Sequence, residues 1–247
     1  MPRFIRAILF DLGSTLMYAR DPWPPIEARA DLALADYLCV QGIKIDPKSF
    51  VVDFRTRLKE YYIRREKSLF ETTYLSVVRE LLQEKGYANV SESVLRSALD
   101  RLFAVTQSNW VLESDALPTL RVLEKDGYRL GLVSNAGDDK DVFQLAERFR
   151  IEQYFDFILT SAACSYRKPH PRIFKLALAQ WHRIPVSEIV MVGDTLEADI
   201  LGAQKVGLYT IWITRRATPQ AEEMQRIQPD ISLPALKDIP PTLSRLR

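Results

Sequence analysis

The sequence predicts an α/β fold in which a parallel sheet with helices on both faces carries an inserted α-helical domain. Three observations predict it: short apolar runs that each end in a polar loop, helical patterns between those runs, and one long stretch, 17–113, that reads as helices without a convincing strand. Strands buried on both faces of a parallel sheet read as continuous apolar runs rather than as alternating patterns.

The first run, 5–10, stops at Asp11-Leu12-Gly13-Ser14-Thr15. The run at 129–133 stops at Ser134-Asn135-Ala136-Gly137, that at 189–192 at Gly193-Asp194-Thr195, and that at 208–213 at Thr214-Arg215. Residues 157–160 form a weaker fifth strand. Helical spacing covers 117–125, with Leu117, Leu120 and Leu123 on one face, and then 142–149, 173–181 and 197–206. Within the long insertion, helices are expected at 26–40, 49–67, 71–84 and 91–111, punctuated by Asp46-Pro47, Lys85-Gly86 and Asn89. The tail from Ala217 carries Pro219, Pro229, Pro234, Pro240 and Pro241, and one short helix with irregular packing is expected there.

The domain reading is therefore a core of 1–16 and 114–247 and a helical cap of 17–113. In open parallel sheets ligands bind beyond the carboxyl ends of the strands, which is where the polar loops fall. An insertion starting right after the first of those loops would sit above the crevice.

Composition narrows the function classes. The chain has 247 residues, 47% of them hydrophobic, with 34 Lys and Arg against 32 Asp and Glu, for a net charge of +2. That length builds a core without disulfide or zinc staples, and the near-balance of charge predicts no nucleic-acid partner. The two cysteines, Cys39 and Cys164, and the two histidines, His170 and His182, have no metal-ligand spacing. No stretch reaches the roughly 20 apolar residues of a membrane span, and Met1-Pro2-Arg3-Phe4 runs straight into the first strand rather than into a signal peptide. A cytoplasmic protein without a membrane partner, monomeric or homodimeric, is expected.

The loops hold the chemistry. Asp11 ends an apolar strand, where a carboxylate needs a hydrogen-bond or metal partner, although it could also simply begin a turn. Ser134-Asn135 offers a hydroxyl and an amide to anionic oxygens, or an ordinary helix cap. Lys168, in Arg167-Lys168-Pro169, precedes a helix marked by Pro171. Gly193-Asp194-Thr195-Leu196-Glu197-Ala198-Asp199 sets two carboxylates five residues apart behind a glycine that admits close backbone approach. Carboxylates grouped with a third suit Mg2+, which takes oxygen ligands.

In this order, strand-Asp11, strand-Ser134, Lys168 and Gly193-Asp194-x4-Asp199 resemble the four signature motifs of the haloacid dehalogenase-like hydrolase superfamily. The likeness extends through Gly127 to Asn135, Lys168 to Phe174 and Asp199 to Ala203. It implies a Rossmann-like core with a helical cap and an enzyme that hydrolyses a small-molecule phosphoester. It further implies that Asp11 is the nucleophile, that Asp11, Asp194 and the Gly13 carbonyl hold Mg2+, and that Ser134 and the Asn135 backbone bind the transferring group. Lys168 would neutralise charge on both Asp11 and that group, and Asp199 would orient Lys168 or a metal-bound water.

One position departs from the family's phosphatases, which commonly carry Asp-x-Asp in the first motif. Gly13 stands where the second Asp, the general acid and base, would be. Such a group is typically worth about 10² to 10⁴ in rate. Its loss keeps two alternatives open: a metal-independent 2-haloacid dehalogenase, with Lys168, Ser134 and Asn135 on the substrate carboxylate, and a weakly active binding or regulatory member.

In the insertion, Arg20, Trp23, Arg55, Tyr61, Tyr62, Arg64, Arg65 and Tyr74 are candidates to meet substrate. The acids Asp53, Glu60 and Glu66 among the basic residues favour a solvated helix face, and the aromatics favour packing inside the cap. His170 is expected to cap a helix rather than to replace the missing acid, and Cys164 to pack as a small residue.

Overall fold

The computed structural model describes residues 4–246; Met1, Pro2 and Arg3, which opened the segment read as lacking a signal peptide, lie outside the described residues. In chain order, β1 (Ala7–Phe10) is followed by β2 (Met17–Ala19) and by α1 (Trp23–Val40), α2 (Pro47–Ser68), α3 (Tyr74–Glu84) and α4 (Glu92–Gln107). β3 (Trp110–Leu112) leads into α5 (Ala116–Lys125), β4 (Arg129–Ser134), α6 (Asp139–Arg148), β5 (Phe157–Thr160), α7 (Ser161–Cys164) and α8 (Pro171–Ala179). Then come β6 (Ile189–Gly193), a π-helical segment at Leu196–Leu201, α9 (Gly202–Gln204), β7 (Tyr209–Ile213), α10 (Ala221–Arg226), β8 (Ile231–Leu233) and α11 (Ile239–Ser244).

The chain divides into two compact units, Met1–Tyr18 with Val111–Arg247, and Ala19–Trp110. The first is built on a six-stranded parallel sheet in the order β5-β4-β1-β6-β7-β8. From β1 the chain builds outward on one side through β4 and β5, then returns to the other side with β6, so the reversal of strand order falls at β1. Phe10 is level with Leu132 and Val192, and Asp11 N donates to Val192 O at 2.9 Å. The polar residues that follow β1, β4 and β6 therefore emerge together at the reversal point, where such sheets bind ligands.

Both sheet faces are buried. Ala7, Leu9, Val133, Ile189 and Met191 pack with Ile173, Phe174 and Ala177 of α8, while Ile8, Phe10, Leu132 and Val192 of the other face are also fully buried. The second unit packs Leu34 and Leu38 of α1, Phe50, Phe54 and Leu58 of α2, Val78 and Leu82 of α3, and Leu99 and Leu102 of α4 into a core of its own. Asp46, Thr73 and Ser91 cap α2, α3 and α4 by accepting backbone N–H bonds.

Several sequence expectations need correction. The stretch 17–113 does hold strand: β2 and β3 pair as a two-stranded sheet, and the helix expected at 91–111 ends at Gln107. The buried side chain of Asn109 receives Asp21 N and donates to Asp21 O, both at 2.9 Å, which ties down the chain beyond the helix. Three-residue strands are too short to show a period. The tail contains β8, α10 and α11 rather than one helix. Pro229 and Pro234 flank β8, which sits at the sheet edge where missing N–H donors are tolerated. The helix expected at 197–206 is π-helical over its first part. No described helix is long and apolar enough to cross a membrane.

Candidate active site

Five residues singled out in the sequence meet at the end of the sheet. Lys168 Nζ donates to Asp11 Oδ1 and to Asp199 Oδ1, each at 2.6 Å, and all three side chains are almost completely buried. Asp11, Asp194 and Asp199 each present a carboxylate oxygen within 4.8 Å of the others. Ser134 ends β4 and is buried; among the described residues its hydroxyl makes no hydrogen bond. Gly13 follows Asp11 by two positions and bridges to Met17.

Local structure explains how Asp199 arrives there. The wider π-helical turn begins right after Thr195, and Asp199 Oδ2 accepts Thr195 N at 3.0 Å while its other oxygen faces Lys168. Gly193 makes room: a Cβ on it would lie 2.4 Å from the Asp199 carboxylate. Glycine is required here by close approach.

The electrostatics are unbalanced. Three carboxylates share one ammonium. Burial alone would lower the Lys168 pKa, but the Asp11 and Asp199 carboxylates outweigh it and hold the ammonium form well above its usual range. Burial, then the charges of Asp11 and Asp199, push Asp194 up to about 8, against the smaller opposing pull of Lys168 and Thr15. Burial likewise raises Asp199 to about 6 despite its bond to Lys168. A carboxyl group this crowded takes up a proton or a cation.

The donor set fits a hard divalent cation. Asp199 spends both oxygens on Lys168 and Thr195. Asp11 Oδ2 and Asp194 Oδ2 make no hydrogen bond among the described residues, so oxygen ligands remain on these two acids.

Three contacts were missed by sequence reasoning. Thr15 Oγ1 donates to Asp194 Oδ1 at 3.3 Å, and Trp212 Nε1 donates to the Asp194 carbonyl at 2.7 Å. Thr15 belonged to the quoted first loop, whereas Trp212 sits in an apolar strand and carried no signal. The Asn135 amide is bonded to the Lys168 backbone in both directions, receiving its N–H at 2.7 Å and donating to its carbonyl at 2.9 Å.

His170 caps α8, its Nδ1 accepting Arg172 N at 3.1 Å, with its ring 4.7 Å from that of Tyr166. Cys164 is half-buried against the apolar core. In the helical unit, Arg55 pairs with Asp31 and Glu27, and Arg57 with Glu80 and Glu84. Arg65 lies over the Tyr62 ring at 4.1 Å. Tyr61 is buried in that unit's core, and the Tyr62 and Tyr74 hydroxyls share a 2.6 Å hydrogen bond. These groups are occupied within their own unit.

A family model described as haloacid dehalogenase-like hydrolase matches residues 5–207. A glyceraldehyde 3-phosphate phosphatase of Pyrococcus furiosus is 37% identical over 211 residues, covering 85% of this chain and 81% of that protein. A ribulose-1,5-bisphosphate 5-phosphatase of Halopiger xanaduensis is 30% identical over 208 residues, 83% of each chain. Among solved structures, a 2-haloacid dehalogenase of Pseudomonas syringae superposes with a TM-score of 0.70 at 26% identity, covering 99% of this chain and 100% of that one.

Proposed function

Because the chain belongs to the haloacid dehalogenase-like hydrolase family, we propose that this hydrolase is a Mg2+-dependent phosphatase acting on a small phosphorylated metabolite through an aspartyl-phosphate on Asp11. The observation that carries this reading is the surplus of buried carboxylate around Lys168, with Asp194 raised to about 8. A centre that holds no cation gains nothing from that third acid, which would only add repulsion against an anionic substrate. The phosphatases named among the relatives, at 30% and 37% identity, support the same choice.

In this reading Asp11 attacks the phosphorus, forming an acyl phosphate and releasing the leaving oxygen, and water then hydrolyses the acyl phosphate to restore the carboxylate. Lys168, 2.6 Å from Asp11, offsets negative charge on the nucleophile and on the incoming group. The Ser134 hydroxyl and the Asn135 backbone N–H bind phosphoryl oxygens. Asp199 holds Lys168 in place. Asp11, Asp194 and the Gly13 carbonyl would hold Mg2+, which when bound supplies positive charge that lets two anions approach. Gly13 has no side chain to protonate the leaving oxygen, so that proton comes from solvent or from another group, at a cost in rate of about 10² to 10⁴. The inserted helical unit is the cap of this reading.

The likeness to the Pseudomonas enzyme favours a second reading, displacement of halide from a 2-haloacid by Asp11 without metal. One assay separates them: phosphate release from an aryl phosphate and halide release from a 2-haloacid, each with Mg2+ and with chelator. Phosphate release that chelator stops is the expected result. Halide release that survives chelator would replace the phosphatase reading with the second.

A further inference from the structure

Lys168 stands in the connection 165–170 between α7 and α8, and its ammonium must reach two carboxylates at once. Those carboxylates come from elements far away in sequence, Asp11 after β1 and Asp199 in the π-helical segment. A lysine side chain has four rotatable bonds and about 2 kcal/mol of rotamer entropy. Its aim therefore depends on where its own backbone is held.

The Asn135 side chain holds it. The amide oxygen accepts Lys168 N–H at 2.7 Å and the amide nitrogen donates to the Lys168 carbonyl at 2.9 Å. This two-sided bond satisfies both backbone groups of one residue, as a neighbouring β-strand would, and ties the loop after β4 to the loop before α8. Asn is suited to it because its planar amide offers an acceptor and a donor side by side. Aspartate supplies only acceptors, and alanine neither.

We propose that the Asn135 side chain is a positioning residue that sets the placement of Lys168 between Asp11 and Asp199, so that the loop after β4 contributes to the reaction through its side-chain amide as well as through Ser134. The inference rests on the reading of Asp11 and Lys168 as the reacting centre. The Asn135 side chain then touches only protein, while its backbone N–H keeps its place on the transferring group.

The test combines Asn135→Ala, Asn135→Asp, Lys168→Ala and the Asn135→Ala/Lys168→Ala double variant, with steady-state hydrolysis of an aryl phosphate in Mg2+ and a crystal structure of each Asn135 variant. Misplacing a catalytic group by about 1 Å costs up to about 10²-fold. Asn135→Ala is expected to lower kcat by about 10- to 100-fold, with little change in KM. Asn135→Asp, which keeps the acceptor for Lys168 N–H, should recover part of that loss. In the Lys168→Ala background the second substitution should cost nothing more, because a clamp has no effect once the group it aims is gone. The crystal structures should show Lys168 Nζ displaced from at least one of the two carboxylates.

An equal fall in kcat in both backgrounds would make Asn135 a general packing residue and overturn the proposal. A rise in KM in both would make its side chain a substrate ligand and overturn it too. If Asn135→Ala does not fold, Asn135→Asp, of nearly the same volume, carries the crystallographic comparison. Should wild-type protein hydrolyse no aryl phosphate, the phosphatase reading fails separately. The positioning inference then stands or falls on whether Nζ keeps both 2.6 Å contacts in the variants.

Discussion

The two units of the chain each bury a cluster of charge, and they resolve it differently. In the helical unit Asp31, 1% exposed, is matched by Arg55, which also takes Glu27 and reaches partial solvent. In the sheet unit Lys168 faces Asp11 and Asp199 with Asp194 close by, and the acids outnumber the base. The first cluster joins α1 to α2, and its one surplus negative charge is shared with Glu27, whose side chain is 38% exposed to water. The second leaves a surplus of negative charge that a bound divalent cation would offset. Buried charge left uncompensated is costly to stability and useful in catalysis.

Breaking the chemistry at its centre should produce the largest effect. Asp11→Asn is expected to reduce phosphate release from an aryl phosphate by at least about 10⁴-fold, without loss of folded protein by circular dichroism. Retention of more than a tenth of the wild-type rate would remove Asp11 from the role of nucleophile. In the helical unit, Asp31→Ala should cost about 2 kcal/mol in urea unfolding, the scale for losing a hydrogen bond to a charged group whose partner Arg55 still keeps Glu27, and change kcat by less than about threefold. If kcat fell instead and stability held, the comparison between the two clusters would collapse.

A smaller effect of opposite sign is expected at Asp194. Its pKa rises from 3.8 in the ordinary range to about 8, so between these values the folded protein binds a proton that the unfolded chain does not. Stability of cation-free protein from this group is therefore present at low pH and lost as pH rises through about 8. Mg2+ competes with that proton. Mg2+ should accordingly raise the melting temperature more at pH 8.5 than at pH 6, at about 2 to 4 °C per kcal/mol of binding. Asp194→Asn in chelator should raise the melting temperature at pH 8.5 and remove most of the Mg2+ effect. Scanning calorimetry at the two pH values decides it, and equal Mg2+ shifts at both would break the argument.

The smallest effect concerns backbone strain. Leu69, which ends α2, holds φ at 57°, a region in which a side chain crowds the following carbonyl. Leu69→Gly is expected to add about 0.5 to 1 kcal/mol in urea unfolding with kcat unchanged. Ser14 holds φ at 61° in the first loop, beside Gly13 and Thr15, and there the same change should alter kcat as well as stability.

The sheet was legible in the sequence where its strands are buried on both faces. β1, β4 and β6 read as unbroken apolar runs because almost every residue in them is excluded from solvent. β8, partly exposed and three residues long, gave no such run, and neither did β2 or β3. Asp11, Ser134, Lys168, Asp194 and Asp199 were legible as polar residues at or just beyond strand ends and at a helix start. What could not be read was which atom bonds which. The Asn135 amide read as suited to an anion or to a helix cap, yet its partner is a backbone 33 positions away. Trp212 looked like strand core, and only the register of β7 beside β6 brings its N–H to Asp194.

The strand order has a consequence for how the chain comes to be made. β1 is synthesised first, but its two neighbours, β4 and β6, begin at Arg129 and Ile189. The helical unit, by contrast, is one contiguous segment that is complete at Trp110. Asp11 meets Lys168 across 157 positions, and Thr15 meets Asp194 across 179. A growing chain therefore holds a finished helical unit while Asp11 is still at the end of an unpaired apolar strand. The cluster of Asp11, Lys168, Asp194 and Asp199 closes only after the chain has passed Asp199, which makes it a late product of synthesis and leaves any shorter fragment without it.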